Sequence, residues 1–225
     1  MSYRVKALVP MKHVSERVPG KNFRLFHGRP MYHWVIQALQ ASRYVEQVVV
    51  NTDSEEIARG AERLGARILW RPSYLFGHMV GIKPLIEYDL SQTEGEYYVQ
   101  THSTNPLLTT QTVDAAVAAF FAPGDHDSLF TVTLVQSRFY WPDGRPVNHD
   151  PANMLRTQDL PPIYEENSCL YVFTRTGFER SGGRRIGPNP LMFPMSAEEA
   201  VDVDEPFDLV VAEALMAARL KNQDQ

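Results

Sequence analysis

The sequence predicts an α/β fold of three layers, a mostly parallel central sheet with helices on both faces. Three observations predict it. Short, valine-rich apolar runs of strand length recur along the chain, and between them lie segments whose apolar residues repeat at helical spacing. Gly, Pro or small capping residues stand at the changeovers. Repeated strand–helix–strand units of this kind favour a parallel sheet covered by helices, and right-handed crossovers then bring the loops after the strands to one edge.

The first strand is Tyr3 to Val9, with its apolar run at Val5 to Val9 and a stop at Pro10. A helix begins near Pro30 and places Met31, Trp34, Val35, Ala38 and Leu39 on one face. Val45 to Val50 is the second strand. Asn51, Thr52, Asp53 and Ser54 offer N-caps for a helix carrying Ile57, Ala58, Ala61 and Leu64, which Gly65 ends. A third strand spans Ala66 to Trp70, a helix covers Met79 to Leu90, and Tyr97 to Gln100 is the fourth strand. Thr109 or Thr110 caps a helix through Val113, Ala116, Val117 and Phe120; Leu129 to Val135 is the fifth strand. Between Gln136 and Asn167 the rhythm breaks at Pro142, Gly144, Pro146, Pro151, Pro161 and Pro162, and the segment is too long for an ordinary connector. Strand character resumes at Leu170 to Phe173. After a Gly- and Arg-rich stretch, Gly182 to Gly187, comes the apolar Leu191-Met192-Phe193. A last helix, Pro206 to Leu220, is expected to turn Phe207, Val210, Val211, Ala214 and Leu215 to the core, with Lys221 to Gln225 frayed.

A chain of 225 residues can bury a full core, and one α/β domain over 1–225 with an excursion at 136–167 fits better than two equal domains. A formal charge of −5 argues against a broad nucleic-acid surface but leaves room for a small basic pocket. Cys169 is the single cysteine, so no intrachain disulfide or thiolate metal cluster forms. Its place near a strand favours burial over nucleophilic chemistry. The amino terminus enters a strand without a signal-peptide pattern, and no apolar stretch is long enough to cross a bilayer, which makes the cytoplasm the expected compartment.

Two motifs carry chemistry. Pro10 to Asn22 follows the first strand, and in open α/β sheets ligands bind beyond the carboxyl ends of the strands. Lys12, Arg17 and Lys21 therefore lie where a polyphosphate would, with Ser15 and backbone N–H groups as further donors. The stretch is neither GxxxxGK[ST] nor GxGxxG, so neither a P-loop kinase nor a dinucleotide dehydrogenase is favoured. The plainer alternative is an exposed mixed-charge turn. The second motif is Val201-Asp202-Val203-Asp204. In an extended segment Asp202 and Asp204 face one side, where hard carboxylate oxygens suit Mg²⁺, while the valines pack behind; a solvent-facing cap of the last helix is the alternative. A basic cradle and a Mg²⁺ site are complementary needs of phosphoryl or nucleotidyl transfer. His13, His78 and His102 are separated in sequence and compel no hydrolytic triad.

Taken in order, Ser15 to Asn22, Thr52 to Ala58, Arg71-Pro72, Asn105-Pro106-Leu107, Arg156 to Pro162, Asn167 with Tyr171, Arg185-Ile186-Gly187 and Val201 to Asp204 resemble the acylneuraminate cytidylyltransferases, or CMP-sialic acid synthetases, and relatives that make CMP-linked ulosonic acids. The resemblance runs over nearly the whole chain. It implies a three-layer nucleotide-binding fold that transfers a cytidylyl group from CTP to the anomeric hydroxyl of a 2-keto sugar acid with release of pyrophosphate. It also implies that Lys12, Ser15, Arg17, Lys21, Asn22 and Arg71 line the nucleotide side, with Lys21, Arg17 and Asp204 catalytic. Asp202 and Asp204 would hold Mg²⁺, and Thr104, Asn105 and Asn167 would lie near the sugar. The 136–167 excursion would make a homodimer, with Arg156 and Gln158 reaching toward the partner's site. The chain departs from the family's pattern in several places. Met11 to Arg17 replaces an Ala-Arg-Gly-Gly-Ser-Lys-Gly loop, His78 falls where an aspartate is common, His102 replaces a glutamine, and Asn-Ser-Cys-Leu-Tyr at 167–171 replaces Asn-Gly-Ala-Ile-Tyr. These changes leave the acceptor open. A metal-dependent nucleotide-sugar glycosyltransferase and a non-catalytic nucleotide sensor are the competing readings. All of this requires Lys21 and Asp204 to meet in one pocket.

Overall fold

A computed structural model describes residues 3–13, 20–77 and 79–223. The strands are β1 (Val5–Met11), the short pair β2 (Leu25–Phe26) and β3 (Arg29–Pro30), β4 (Val45–Thr52), β5 (Arg67–Trp70), β6 (Tyr97–Thr101), β7 (Ser128–Val135), β8 (Ile163–Thr174) and β9 (Pro190–Pro194). The helices are α1 (Met31–Gln40), α2 (Glu55–Arg63), α3 (Ile82–Gln92), α4 (Thr110–Phe121), α5 (Arg175–Arg180) and α6 (Pro206–Gln223). Seven strands form one sheet in the order β5-β4-β1-β6-β8-β7-β9. β8 runs antiparallel to both neighbours, while β5, β4, β1 and β6 are parallel to one another and β9 is parallel to β7. The expected three-layer α/β architecture is therefore present, with one reversed strand in a largely parallel sheet.

Alternation along the strands explains why the sheet is covered on both faces. Val5, Ala7, Val9 and Met11 of β1 pack with α1, α2 and α4, whereas Leu8 points the other way to join Val49, Tyr98, Tyr171 and α3. Local signals set the helix ends. Ser54 Oγ accepts from Ile57 N and Thr109 Oγ1 accepts from Thr112 N, so both predicted N-caps form. Gly65, at φ 84°, closes α2 with bonds from Gly65 N to Glu62 O and from Ala66 N to Ala61 O. α3 starts at Ile82, three residues later than the periodicity predicts, because Gly77 and Gly81 keep the preceding stretch out of the helix.

Two expectations need correction. β8 begins at Ile163, inside the predicted excursion, and pairs Leu134 with Tyr164 and Val132 with Glu166. Its first residues, Tyr164-Glu165-Glu166, are exposed on both sides and lack the apolar pattern of a core strand. In α6 the buried residues are Leu209, Ala212 and Met216, packed on Phe26, Met31, Leu107 and Val203, while Phe207 and Val210 are 72% and 62% exposed. The helix has apolar residues on two faces, and the anchoring of Val203 decides which one turns inward. Among the described residues no helix is long and apolar enough to cross a membrane.

Candidate active site

The ends of β1, β4 and β6 meet at one sheet edge, and β8 crosses the same edge because Thr101 is in register with Leu170. A cavity of about 360 Å³ opens there, lined by Pro10, Met11, Lys12, Lys21, Asn22, His102, Ser103, Thr104, Ser168, Asp202 and Asp204. It adjoins a second space of about 280 Å³ lined by Arg71, Leu75, Gly77, Val80, Ile82 and Leu85, and Pro10, Lys12 and His102 belong to both. One half is polar and charged; the other is largely apolar with one guanidinium.

Lys21 reaches the polar half from a 3-10 turn, Lys21–Phe23, that Gly20 opens at φ 67°. The ammonium is largely buried, and Nζ lies 2.9 Å from Asp204 Oδ1 across 183 residues of sequence. The two charged motifs thus share one wall. Asn22 clamps that wall, since its Nδ2 donates to Lys12 O at 2.9 Å and its Oδ1 accepts from Ser103 Oγ at 2.8 Å. On the acidic side Val203 is fully buried and donates its backbone N–H to Thr104 O at 2.9 Å, which sets Asp202 and Asp204 on the cavity lining. Asp208 Oδ2 accepts from Asp204 N and Glu205 N, so Asp208 satisfies the backbone at the start of α6.

Arg71 is held from behind. Nε donates to Asn51 Oδ1 at 2.8 Å, Nη2 donates to Asn51 O at 3.1 Å, and Asn51 Nδ2 donates to buried Asp89 Oδ1 at 2.5 Å. His102 opens onto the cavity and is otherwise enclosed, and burial with the nearby Arg185 lowers its pKa to about 4. The imidazole is therefore neutral near pH 7. His13 is tied away from the cavity, with its backbone N–H on Asp53 Oδ1 and Nδ1 2.9 Å from Ser54 Oγ.

Of the residues singled out in the sequence, Lys12, Lys21, Asn22, Thr104, Asp202 and Asp204 come together around the polar half, and Arg71 stands in the other. Ser15, Arg17 and His78 lie outside the described residues. Asn105 is fully buried and does not line the cavity, and its amide group has no hydrogen-bond partner among the described residues. Asn167 is occupied by Thr131 Oγ1, Thr133 Oγ1 and Cys169 N, so the neighbouring Ser168 is the residue that faces the cavity. Arg156 and Gln158 are exposed and do not line the chain's own cavity; Arg156 forms a two-point pair with Asp159. Cys169 is buried, and burial pushes its thiol pKa up, which suits packing and not nucleophilic attack. Sequence reasoning took Asn51 only as a helix cap and gave Asp89 and Ser168 no role, because a polar residue on a strand or helix carries no local mark of the long-range partner it will meet.

A family model described as Cytidylyltransferase matches residues 6–203. The chain belongs to the cytidylyltransferase family. This cytidylyltransferase is 28% identical over 230 residues to the CMP-N,N'-diacetyllegionaminic acid synthase of Legionella pneumophila, a match covering 95% of the chain and 96% of that protein. It is also 28% identical to N-acylneuraminate cytidylyltransferase A of Danio rerio, over 94% of the chain and 50% of the longer fish protein. The solved structure of CMP:2-keto-3-deoxy-manno-octonic acid synthetase complexed with CTP superposes with a TM-score of 0.73 at 16% identity, covering 96% of this chain and 99% of that one. The cytidylyltransferase therefore shares its overall fold with that structure.

Proposed function

We propose that this cytidylyltransferase moves the CMP group of CTP onto the anomeric hydroxyl of a 2-keto sugar acid and releases pyrophosphate. The observation that carries the reading is the Lys21–Asp204 pair on one wall of a cavity that also holds Lys12 and Asp202. The names of the relatives, which make CMP conjugates of legionaminic, neuraminic and octulosonic acids, supply the acceptor class.

The apolar half with Arg71 takes the cytidine, since Leu75, Val80 and Leu85 offer flat apolar contact and the guanidinium offers fixed donors. Lys12 stands between the halves and continues the positive charge toward the triphosphate, where Lys21 and Asn22 line the polar half. Asp202 and Asp204 fit Mg²⁺: both are hard oxygen donors on the cavity wall, and Mg²⁺ takes one or two carboxylates and completes its shell with phosphate oxygens and water. Among the described residues no group of three or more His, Cys, Asp and Glu could hold a metal. When bound, Mg²⁺ supplies charge neutralisation at the transferred phosphoryl group.

The acceptor oxygen forms a bond to the α-phosphorus as the bond from that phosphorus to the bridging oxygen breaks, and the electron pair leaves with pyrophosphate. Lys21 balances the charge that develops on this leaving group. Asp204, beside Lys21, orients the acceptor hydroxyl and takes its proton as the bond to phosphorus forms, passing it on to water. His102, with a pKa near 4, is a weak proton acceptor and serves as a neutral hydrogen-bonding wall. Thr104 stands on the acceptor side, while Asn105 and Asn167 support that side from behind.

The test is to incubate the protein with CTP, Mg²⁺ and, one at a time, N-acetylneuraminate, 3-deoxy-manno-octulosonate and N,N'-diacetyllegionaminate, reading products by mass spectrometry. A CMP conjugate with equimolar pyrophosphate is expected for at least one acid. A wider panel of 2-keto sugar acids that yields no conjugate overturns the reading.

A further inference from the structure

Ser168 occupies a backbone conformation that serine rarely takes. Its φ is +57°, in the left-handed region where glycine is at ease and a Cβ is crowded. The chain around it is fastened on both sides. Five steps along β8, from Glu166 to Tyr171, oppose two along β7, from Val132 to Phe130, so β8 bulges here. Thr131 Oγ1 holds the bulge by donating to Asn167 Oδ1 at 2.7 Å and accepting from Leu170 N at 2.9 Å, and Thr101 Oγ1 donates to Cys169 O at 2.6 Å. Ser168 is the apex, and its side chain lines the polar half of the cavity.

The neighbours of the hydroxyl set its polarity. Tyr171 Oη is 2.5 Å from Glu166 Oε1 and 3.2 Å from Ser168 Oγ. A phenol has one proton, and burial pushes the Tyr171 pKa up to about 12, so the proton is present. The phenol donates it to the closer partner, Glu166 Oε1. Ser168 then donates its own proton to Tyr171 Oη, and its oxygen lone pairs remain for the cavity. Arg185, 3.8 Å from the centre of the Tyr171 ring, covers that ring and holds the phenol in place. Ser103, the other serine of the lining, donates to Asn22 Oδ1 and is itself buried. Among the described residues of the lining, Ser168 and Thr104 are the half-buried hydroxyls that remain open to an acceptor.

We propose that Ser168 is a specificity-determining residue for the acceptor, its oxygen receiving a hydrogen bond from an O–H or amide N–H substituent of the sugar acid. This rests on the proposed cytidylyl transfer. A strained backbone that presents a polarised hydroxyl to a cavity is a device for reading a donor, because a site with a fixed acceptor rejects an analogue that lacks the matching hydrogen.

The experiment compares wild type, Ser168→Gly and Ser168→Ala, using the best acceptor from the panel together with its monodeoxy and de-N-acyl analogues. In Ser168→Gly the backbone is relieved and the hydroxyl is gone. Its thermal midpoint should equal or exceed that of wild type, its KM for CTP should stay within about twofold, and its kcat/KM for the acceptor should fall roughly tenfold. One analogue that wild type disfavours by about tenfold should be used by Ser168→Gly as well as the parent acid is. Ser168→Ala should lose the same discrimination and melt lower. Discrimination unchanged from wild type in both variants overturns the proposal and leaves cytidylyl transfer standing. A fall for CTP equal to that for the acceptor overturns it too, since that marks a general structural role. A wild type that forms no conjugate with any acid overturns the transfer itself, and the proposal with it.

Discussion

Asp89 couples the site to pH through one buried proton. It is 1% exposed, and burial raises its pKa from 3.8 to about 7, against the opposing effects of the Asn51 hydrogen bond and the Arg71 charge. In the unfolded chain the carboxyl ionises near 3.8, whereas the folded protein keeps the proton until about pH 7. Its contribution to stability is therefore fully present below about pH 4 and is lost as pH rises toward 7. His102 works in the opposite sense between pH 6.5 and 4, because its folded pKa is depressed to about 4 and stability falls as the unfolded imidazole gains its proton. The difference between two proteins isolates the aspartate. Asp89→Asn keeps an oxygen to accept from Asn51 Nδ2 and removes the titration, so urea unfolding should show the variant gaining on wild type steadily from pH 4.5 to 7.5. Parallel curves would remove Asp89 from the account. Lys21 and Asp204 were legible in the sequence as members of a basic cluster after the first strand and of an Asp-Val-Asp pair before the last helix, although each motif also read as an ordinary turn or helix cap. Asp89 was not legible, since its neighbours Tyr88 and Leu90 mark only a helix and nothing local signals that Asn51 and Arg71 will meet it.

At the level of elements, strands with apolar alternation and helices with small-residue caps were read nearly to the residue, because those signals are local. The elements given the wrong bounds or face are those whose placement depends on distant contacts, while the short β2–β3 pair and α5, which Thr174 caps locally, went unread. β8 starts early because β7 offers it an antiparallel edge, which no pattern in Tyr164-Glu165-Glu166 announces. In α6 the periodicity supports two apolar faces, and the Val203–Thr104 backbone bond selects the face of Leu209, Ala212 and Met216. This has an energetic consequence that separates the two faces. Leu209→Ala and Met216→Ala should each lower the unfolding free energy by about 2–4 kcal/mol, as truncation in a packed core does. Phe207→Ala and Val210→Ala should change it by less than about 0.5 kcal/mol in the same chemical denaturation experiment. Equal losses on both faces would mean that α6 is rotated from the placement described. Because α6 begins just after Asp204, the core-face variants should also loosen the acidic wall and raise the KM for CTP.

For the whole molecule, the excursion after β7 is the segment with no evident purpose in a monomer. Tyr140, Trp141, Met154 and Leu155 are 56%, 54%, 58% and 43% exposed, a concentration of large apolar side chains beside Arg156. Arg156 does not line its own chain's cavity, and the resemblance noted in the sequence implies a dimer contact here whose arginine serves the partner's site. We propose a two-fold homodimer in which the apolar residues are covered and each chain lends its Arg156 to the other. The decisive test uses two defective chains. Arg156→Ala lacks the lent residue and Asp204→Ala lacks its own acidic group, so each alone should give little product. In a mixed dimer the Arg156→Ala chain keeps an intact Asp204 wall and receives Arg156 from its partner, which restores one site of the two. Random pairing makes half of the dimers mixed, so refolding the variants together in equal amounts should recover about a quarter of wild-type activity. Activity no greater than the average of the separate variants, in a sample shown to be dimeric by sedimentation, would mean that Arg156 does not act across the interface. A monomer at assay concentration would remove the dimer itself and leave the exposed apolar residues of the excursion to some other contact.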